Sequence, residues 1–173
     1  MPQRLKALSL KGPKLKTAIA QKLKGAKRIA FLGVGSLLRG DDAAGMLLAE
    51  EISKSKTKRN NKIRVLFGET APENFTGEIK KFKPTHLIIA DAVDTGEKPG
   101  TIVLIEPEDA KGASFCTHSL PIKILADYLY QSTHCEIIII GIQPKTLEFA
   151  SKPTPLVKSA VKTLARLLLT INN

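Results

Sequence analysis

A short apolar strand that runs into a glycine turn and two adjacent carboxylates restricts the fold of this chain more than any other feature. Residues 28–45 read RIAFLGVGSLLRGDDAAG, in which an apolar-periodic stretch begins after Asp41 and Asp42. This order predicts a strand, a tight loop and a helix start, with both aspartates at the carboxyl end of the strand. Ligands of open α/β sheets bind beyond the carboxyl ends of the strands, so the loop marks the expected site.

The same loop does not match a phosphate-binding fingerprint. A Gly-x-Gly-x-x-Gly pattern would need glycine at position 38, where the chain has Leu38. Two aspartates would also repel a pyrophosphate. Paired carboxylates instead suit a metal cation or acid–base chemistry on a neutral substrate.

Strand and helix patterns alternate along the rest of the chain. Strands are expected at the apolar runs 28–34, 62–67, 86–91, 101–105 and 136–142. Helices are expected at about 42–54, 74–82, 120–131 and 154–170. This alternation predicts an α/β fold, a three-layer sandwich whose mostly parallel sheet carries helices on both faces. The link DAVDTGEKPG is too short for a crossover helix, so one strand should be antiparallel or joined by a wide loop.

The basic charge is concentrated near the N-terminus. Residues 1–40 hold ten Lys or Arg and no acid, whereas the remainder of the 173-residue chain is nearly neutral. We therefore expect a basic N-terminal extension at 1–26 and a single α/β domain at 27–173. A helix in the extension is indicated by apolar residues at a spacing of four, Leu15, Ile19 and Leu23. It could lie against the domain or act as an arm that modulates affinity for an acidic partner surface.

Composition argues against several classes of function. The extension lacks the apolar stretch of a signal peptide, and no run of about 18 apolar residues occurs, so no membrane anchor is expected. Tryptophan is absent and no base-reading motif occurs, so no nucleic-acid partner is expected. Cys116 and Cys135 form neither a metal-ligand pair by spacing nor a disulfide framework, which fits a cytoplasmic location.

Three polar residues should meet at one end of the sheet. Asp42 follows the first strand, Asp91 ends the third, and His118 lies in the loop before the helix at 120–131. Two carboxylates and one imidazole can bind a borderline divalent ion and leave coordination positions open. Asp42 could instead be only a helix N-cap, worth about 1 kcal/mol, and His118 could be a capping or packing residue.

Two other titratable residues should lie at the opposite end. His86 begins the strand that Asp91 ends, roughly 16 Å away at about 3.3 Å per residue. Cys135 directly precedes the last strand, so it should lie too far from Cys116 for a disulfide. Neither His86 nor Cys135 is therefore expected in the site.

Five motifs in order resemble the maturation endopeptidases of nickel–iron hydrogenases. They are LGVGSLLRGDDAAG, GETAPEN, LIIADAVDTGEKPG, THSLP and GIQP, within residues 28 to about 170. GETAPEN and GIQP are most similar to the hydrogenase 3 branch, which is associated with formate hydrogenlyase. The chain departs from the family pattern at Ser36, where asparagine is usual, and at Ala43, where glycine is usual. Both replacements keep the loop small.

This resemblance implies a fold, a substrate and a site. It implies a twisted five-stranded sheet, and it assigns the family's metal-contacting trio to Asp42, Asp91 and His118. The implied reaction is cleavage of a large-subunit precursor after the basic residue of a Cys-x-x-Cys-x-x-Arg or -His segment near its C-terminus. The precursor is expected to supply the nickel, so we expect no tightly bound metal of the enzyme's own.

Peptide-bond hydrolysis here is expected to be of the aspartic or metal-dependent type. A cation can polarise the scissile carbonyl and a bound water while Asp42 or Asp91 takes a proton, and the sequence does not decide which. Gly35, Asp41 and Asp94 are expected to support the site, Asp94 by orienting the loop after Asp91. The alternative function is a nickel-sensing chaperone that binds the precursor without cutting it.

Overall fold

A mixed sheet with a parallel centre runs through the middle of the molecule. The computed structural model of the chain describes residues 7–9, 12–55, 62–112, 114–115 and 121–171. Its strands are β1 (Ala7–Ser9), β2 (Ile29–Val34), β3 (Ile63–Glu69), β4 (His86–Asp94), β5 (Ile102–Ile105), β6 (Ser114–Phe115) and β7 (Glu136–Ile142). Their order is β1-β5-β7-β4-β2-β3, and β6 pairs with β4 outside this order.

Strand directions confirm the expected mostly parallel sheet. The four strands β3, β2, β4 and β7 run parallel to one another. β5 is antiparallel to β7, as the short link after β4 requires. Two short strands were not predicted from the sequence, because β1 and β6 are only three and two residues long.

Helices cover both faces of the sheet, which confirms the three-layer arrangement. They are α1 (Gly12–Lys22), α2 (Ala44–Lys54), α3 (Thr76–Phe82), α4 (Ile122–Thr133) and α5 (Pro155–Ile171). Phe31 and Ile88 belong to the core cluster under α1, α2 and α5, whereas Leu32 and Ile89 belong to the cluster under α3 and α4. Successive strand residues thus face opposite helical layers. In the described parts of the chain, no helix is long and apolar enough to cross a membrane.

The N-terminal helix packs into the core. Leu15, Ile19 and Leu23 are buried within the cluster that α2 and α5 also cover. Lys22 forms an ion pair with Glu106, which follows β5, at 2.8 Å. α1 therefore lies against the domain rather than standing free as an arm, while the division of the chain at residue 26 stays a prediction.

α2 rests directly on the backbone of two strands. A Cβ atom at Gly45 would lie 2.0 Å from the carbonyl oxygen of Ala90 and 2.3 Å from that of Val34. Only glycine permits this approach. It brings the start of α2, and with it the turn at Gly40–Ala43, over the carboxyl end of β2 and the middle of β4.

Candidate active site

Asp42 lies on the short 3-10 turn between β2 and α2. The residue is fully buried, and its Oδ2 accepts a hydrogen bond from the Ser36 backbone N–H at 2.7 Å. The N-cap residue of α2 is Ala43, and no side chain caps this helix or the 3-10 turn before it. The N-cap interpretation of Asp42 is therefore wrong, because its carboxylate binds the loop after β2 instead.

Asp91 lies inside β4 rather than at its end. The strand continues to Asp94, because residues 91 and 92 still pair with Gly141 and Ile142 of β7. Asp91 is fully buried, and its Oδ1 accepts the Ala92 backbone N–H at 2.8 Å. The side chain nevertheless lies at the carboxyl end of β2, which stops at Val34.

Gly35 lies against the backbone of Asp42 and close to the carboxylate of Asp91. Its φ is +123°, and a Cβ atom there would lie 1.8 Å from the Asp42 carbonyl oxygen and 3.7 Å from Asp91 Oδ1. The Gly35 N–H donates to the Glu69 carbonyl oxygen at 2.9 Å, which holds the loop against the end of β3. The structure thus places Gly35 between Asp42 and Asp91, in a conformation that a residue with a side chain rarely adopts.

Asp41 faces away from its neighbour and binds a different loop. Its carboxylate accepts hydrogen bonds from Thr154 N at 2.6 Å, Lys145 N at 2.8 Å, Thr154 Oγ1 at 2.9 Å and Thr146 N at 3.4 Å. It is fully buried, and these donors offset the cost of burying a carboxylate. The two adjacent aspartates therefore bind different loops. Asp41 fixes the segment from β7 to α5, and Asp42 binds the loop after β2.

Asp94 and Gln143 organise the loop after β4. Asp94 Oδ1 accepts hydrogen bonds from Gln143 Nε2 and from Gly96 N, both at 3.0 Å, and these bonds hold the pKa of Asp94 below its ordinary value. Gln143 Oε1 accepts from Thr95 N at 2.8 Å and Thr95 Oγ1 at 2.9 Å. Gln143 was not predicted as a site residue, although a glutamine directly after the apolar run 136–142 was a usable signal.

His118 and Cys116 lie outside the described residues. The strand β6 precedes them, and its Phe115 and Ser114 pair with Val93 and Asp94 at the end of β4. Among the residues that the structure does describe, no three His, Cys, Asp or Glu side chains are arranged to hold a metal ion. The trio of Asp42, Asp91 and His118 and the separation of the two cysteines remain predictions.

Two buried titratable groups lie at the other end of the sheet. His86 pairs with Ile29 and Glu136, the first residues of β2 and β7, and Cys135 directly precedes β7. Burial lowers the pKa of His86, an effect that Glu136 partly opposes, and burial raises the pKa of Cys135. Both shifts favour the neutral forms, so neither residue is poised as a charged ligand or nucleophile.

Buried carboxylates can take up a proton or bind a cation. Asp42 and Asp91 are two fully buried carboxylates near Gly35, at the edge where four parallel strands end, the usual ligand-binding edge of an α/β sheet. The arrangement suits hydrolytic acid–base chemistry.

Residues 46–171 match the family model HycI, described as hydrogenase maturation protease. The chain is 39% identical over 135 residues to the hydrogenase 3 maturation protease of Escherichia coli K12, covering 78% of this chain and 84% of that relative. The crystal structure of a NiFe hydrogenase maturation protease HycI from Thermococcus kodakarensis KOD1 is similar, with a TM-score of 0.83, 31% identity and coverage of 90% and 99%. The solution structure of an endopeptidase HycI from Escherichia coli gives a TM-score of 0.73, 35% identity and coverage of 84% and 92%.

Proposed function

The chain belongs to the hydrogenase maturation protease family, and from this premise we propose that it removes the C-terminal extension of a nickel–iron hydrogenase large-subunit precursor. The coarser activity, that of a hydrogenase maturation endopeptidase and therefore a hydrolase, follows from family membership. The proposed cleavage point is the bond after the basic residue of a Cys-x-x-Cys-x-x-Arg or -His segment. The proposed location is the cytoplasm, where the free thiol of Cys135 stays reduced.

The observation that carries this proposal is the pair of fully buried aspartates on either side of Gly35. Asp42 and Asp91 belong to separate segments of the chain and reach the same edge of the sheet, where carboxylates can bind a cation or take up a proton from the substrate. In the proposed reaction that cation is the nickel of the precursor, which is part of the substrate.

We assign His118 as the third contact to this nickel. Phe115, three positions before His118, pairs with Val93, two positions after Asp91, and this pairing supports the assignment. Two carboxylates and one imidazole include no thiolate, so this set holds a free ion weakly. The four cysteines of the precursor supply thiolates to the same ion, and nickel loading becomes the check on specificity.

Hydrolysis then needs a group that takes a proton from the attacking water. Asp42 or Asp91 performs this step, and the proton later passes to the amine that leaves. The nickel orients the precursor so that the scissile bond lies beside the two carboxylates. The enzyme is thus an aspartic peptidase that depends on metal bound to its substrate.

The test compares apo and nickel-loaded large-subunit precursor, each incubated with metal-stripped enzyme. Intact mass spectrometry should show shortening of the loaded precursor alone, with the new C-terminus at the basic residue. Equal cleavage of both forms would rule out gating by nickel. Binding of the loaded precursor without any loss of mass would instead support the chaperone alternative.

A further inference from the structure

Three large apolar side chains are exposed beside the candidate active site. Leu37 and Leu38 lie in the loop after β2 and are 56% and 62% exposed, and Phe149, in the segment between β7 and α5, is 73% exposed. Single exposed apolar residues are ordinary, but a group of large ones on joined loops is typical of an interaction surface. We call Leu37, Leu38 and Phe149 the apolar surface.

Backbone hydrogen bonds join the two loops that carry this surface. Ala150 N donates to the Leu38 carbonyl oxygen at 2.8 Å, and Gly40 N donates to the Ser151 carbonyl oxygen at 3.2 Å. A third bond runs from Asp41 N to the Thr146 carbonyl oxygen at 2.9 Å. The segment around Phe149 is therefore bonded to the loop that leads from β2 to Asp42.

The buried carboxylate of Asp41 fixes this arrangement. Its hydrogen bonds to Lys145 and Thr154 hold both ends of the segment that contains Phe149. A surface fixed in advance loses little conformational entropy when a partner binds. Asp42 follows Asp41 directly, so the apolar surface and the candidate site have a fixed relative position.

Exposed charges on the same loops indicate the chemistry of a partner. Arg39, Lys145 and Lys152 are exposed on these loops, and Glu148 is the exposed acid among residues 36–41 and 144–154. The positive excess favours a partner segment that carries carboxylates next to apolar side chains.

We propose that the apolar surface is where the protein substrate docks, through a segment of apolar side chains flanked by carboxylates. This inference rests on the proposed function. The substrate is assigned as occupant because the loops that carry the surface also hold Ser36, which binds Asp42, and the segment that binds Asp41. An endopeptidase must hold the chain beside the bond that it cuts. Contact there positions the precursor before its nickel centre meets Asp42 and Asp91.

The test uses full-length enzyme and nickel-loaded large-subunit precursor. The double variant Leu38→Ser/Phe149→Ser should raise KM and the dissociation constant of the precursor about 30-fold, because two large apolar side chains lose their burial. Its kcat should stay within about twofold, since neither side chain takes part in the reaction. The matched control is Tyr130→Ser, which removes a 52% exposed ring near the amino end of the sheet and should change neither constant.

A charge variant tests the second half of the inference. Lys152→Glu should raise KM about threefold at low salt, and the difference should disappear at about 1 M salt, where surface charges are screened. An unchanged KM in this variant would show that the docking segment of the substrate carries no carboxylates that contact Lys152.

The possible results test the apolar surface and the proposed function independently. Unchanged KM and dissociation constant in the double variant would overturn the apolar surface while leaving the peptidase assignment intact. If the unmodified enzyme binds the precursor without cutting it, the proposed function fails and the dissociation constants still decide the surface. A dimer that the double variant dissociates would assign the surface to a second copy of the chain, and no precursor binding at all would overturn both proposals.

Discussion

The two ends of the sheet differ in the buried polar groups that they contain. At the carboxyl end Asp41, Asp42 and Asp91 are fully buried, and each accepts at least one backbone N–H. At the amino end burial lowers the pKa of His86 and raises that of Cys135, so both groups are kept neutral. Among the described residues, the fully buried carboxylates therefore lie at the carboxyl end, and the buried His86 and Cys135 lie at the amino end.

The direction of the chain explains this difference. Beyond the carboxyl ends of β2 and β4 lie tight loops and the first turn before α2, where backbone N–H groups have no partner within a helix. Carboxylates can accept those donors and offset part of the cost of burial. A carboxylate is therefore buried at lower cost at the carboxyl end of the sheet.

The largest expected effect is on processing activity, and it distinguishes the carboxyl end of the sheet from the amino end. Asp42→Asn and Asp91→Asn should each lower the rate of precursor processing about 10³-fold, because the amide cannot take the proton. Both should keep the wild-type circular dichroism spectrum. His86→Gln at the amino end should process at the wild-type rate, as should the exposed control Asp127→Asn. Full cleavage by either site variant, measured by intact mass, would exclude that residue from the site.

The next effect tests how closely α2 must approach the carboxyl end. Gly45→Ala should lower the free energy of unfolding by about 3 kcal/mol, because the new methyl group collides with the carbonyl oxygens of Ala90 and Val34. The shifted helix should also carry Asp42 away from Asp91 and reduce processing.

Gly77→Ala is the matched control for this substitution. A Cβ atom there meets nothing within 4 Å, so this variant should stabilise α3 by about 0.5 to 1 kcal/mol. Urea titration measures the free energy of unfolding of both variants and distinguishes Gly45→Ala from Gly77→Ala. Equal stability of the two variants would contradict the direct contact of α2 with the strands.

A smaller effect distinguishes the two adjacent aspartates. Asp41→Ala should lower the free energy of unfolding by about 2 kcal/mol, since the backbone N–H groups of Lys145 and Thr154 lose their acceptor. Hydrogen exchange should accelerate at those two amides. Asp42→Asn should leave both amides protected, and faster exchange there would show that the aspartates share one task.

The smallest effect concerns the amino end and its dependence on pH. The pKa of His86 in the folded chain lies below its ordinary value of 6.5, so the unfolded chain binds more protons in this range. Stability from this residue is therefore complete above pH 6.5 and falls as the pH drops through the folded pKa. The free energy of unfolding should decrease less between pH 7.5 and pH 5.5 in His86→Gln than in the wild type. Identical pH profiles would show that His86 titrates normally.

The periodic elements of the fold and the placement of the two candidate carboxylates could be predicted from sequence. Apolar runs and short links predicted the central strands, the antiparallel β5 and the helical layers. Asp42 and Asp91 could be placed at one end of the sheet because Asp42 lies in the loop after the first strand and Asp91 follows the apolar run LIIA. The predicted end of β4 at residue 91 was wrong, because pairing with β7 extends that strand past the polar Asp91.

The sequence alone determined which residue types stand beyond which strands, because hydrophobic periodicity is a local property of the chain. Only the tertiary structure decided what each polar group binds. Asp41 and Asp42 are neighbours with the same side chain, yet Asp41 binds Thr154, 113 positions away, and Asp42 binds Ser36, six positions away. Hydrogen-bond partners depend on where loops from distant strands lie relative to one another. The close approach of Gly45 to β2 and β4 helps to determine those positions.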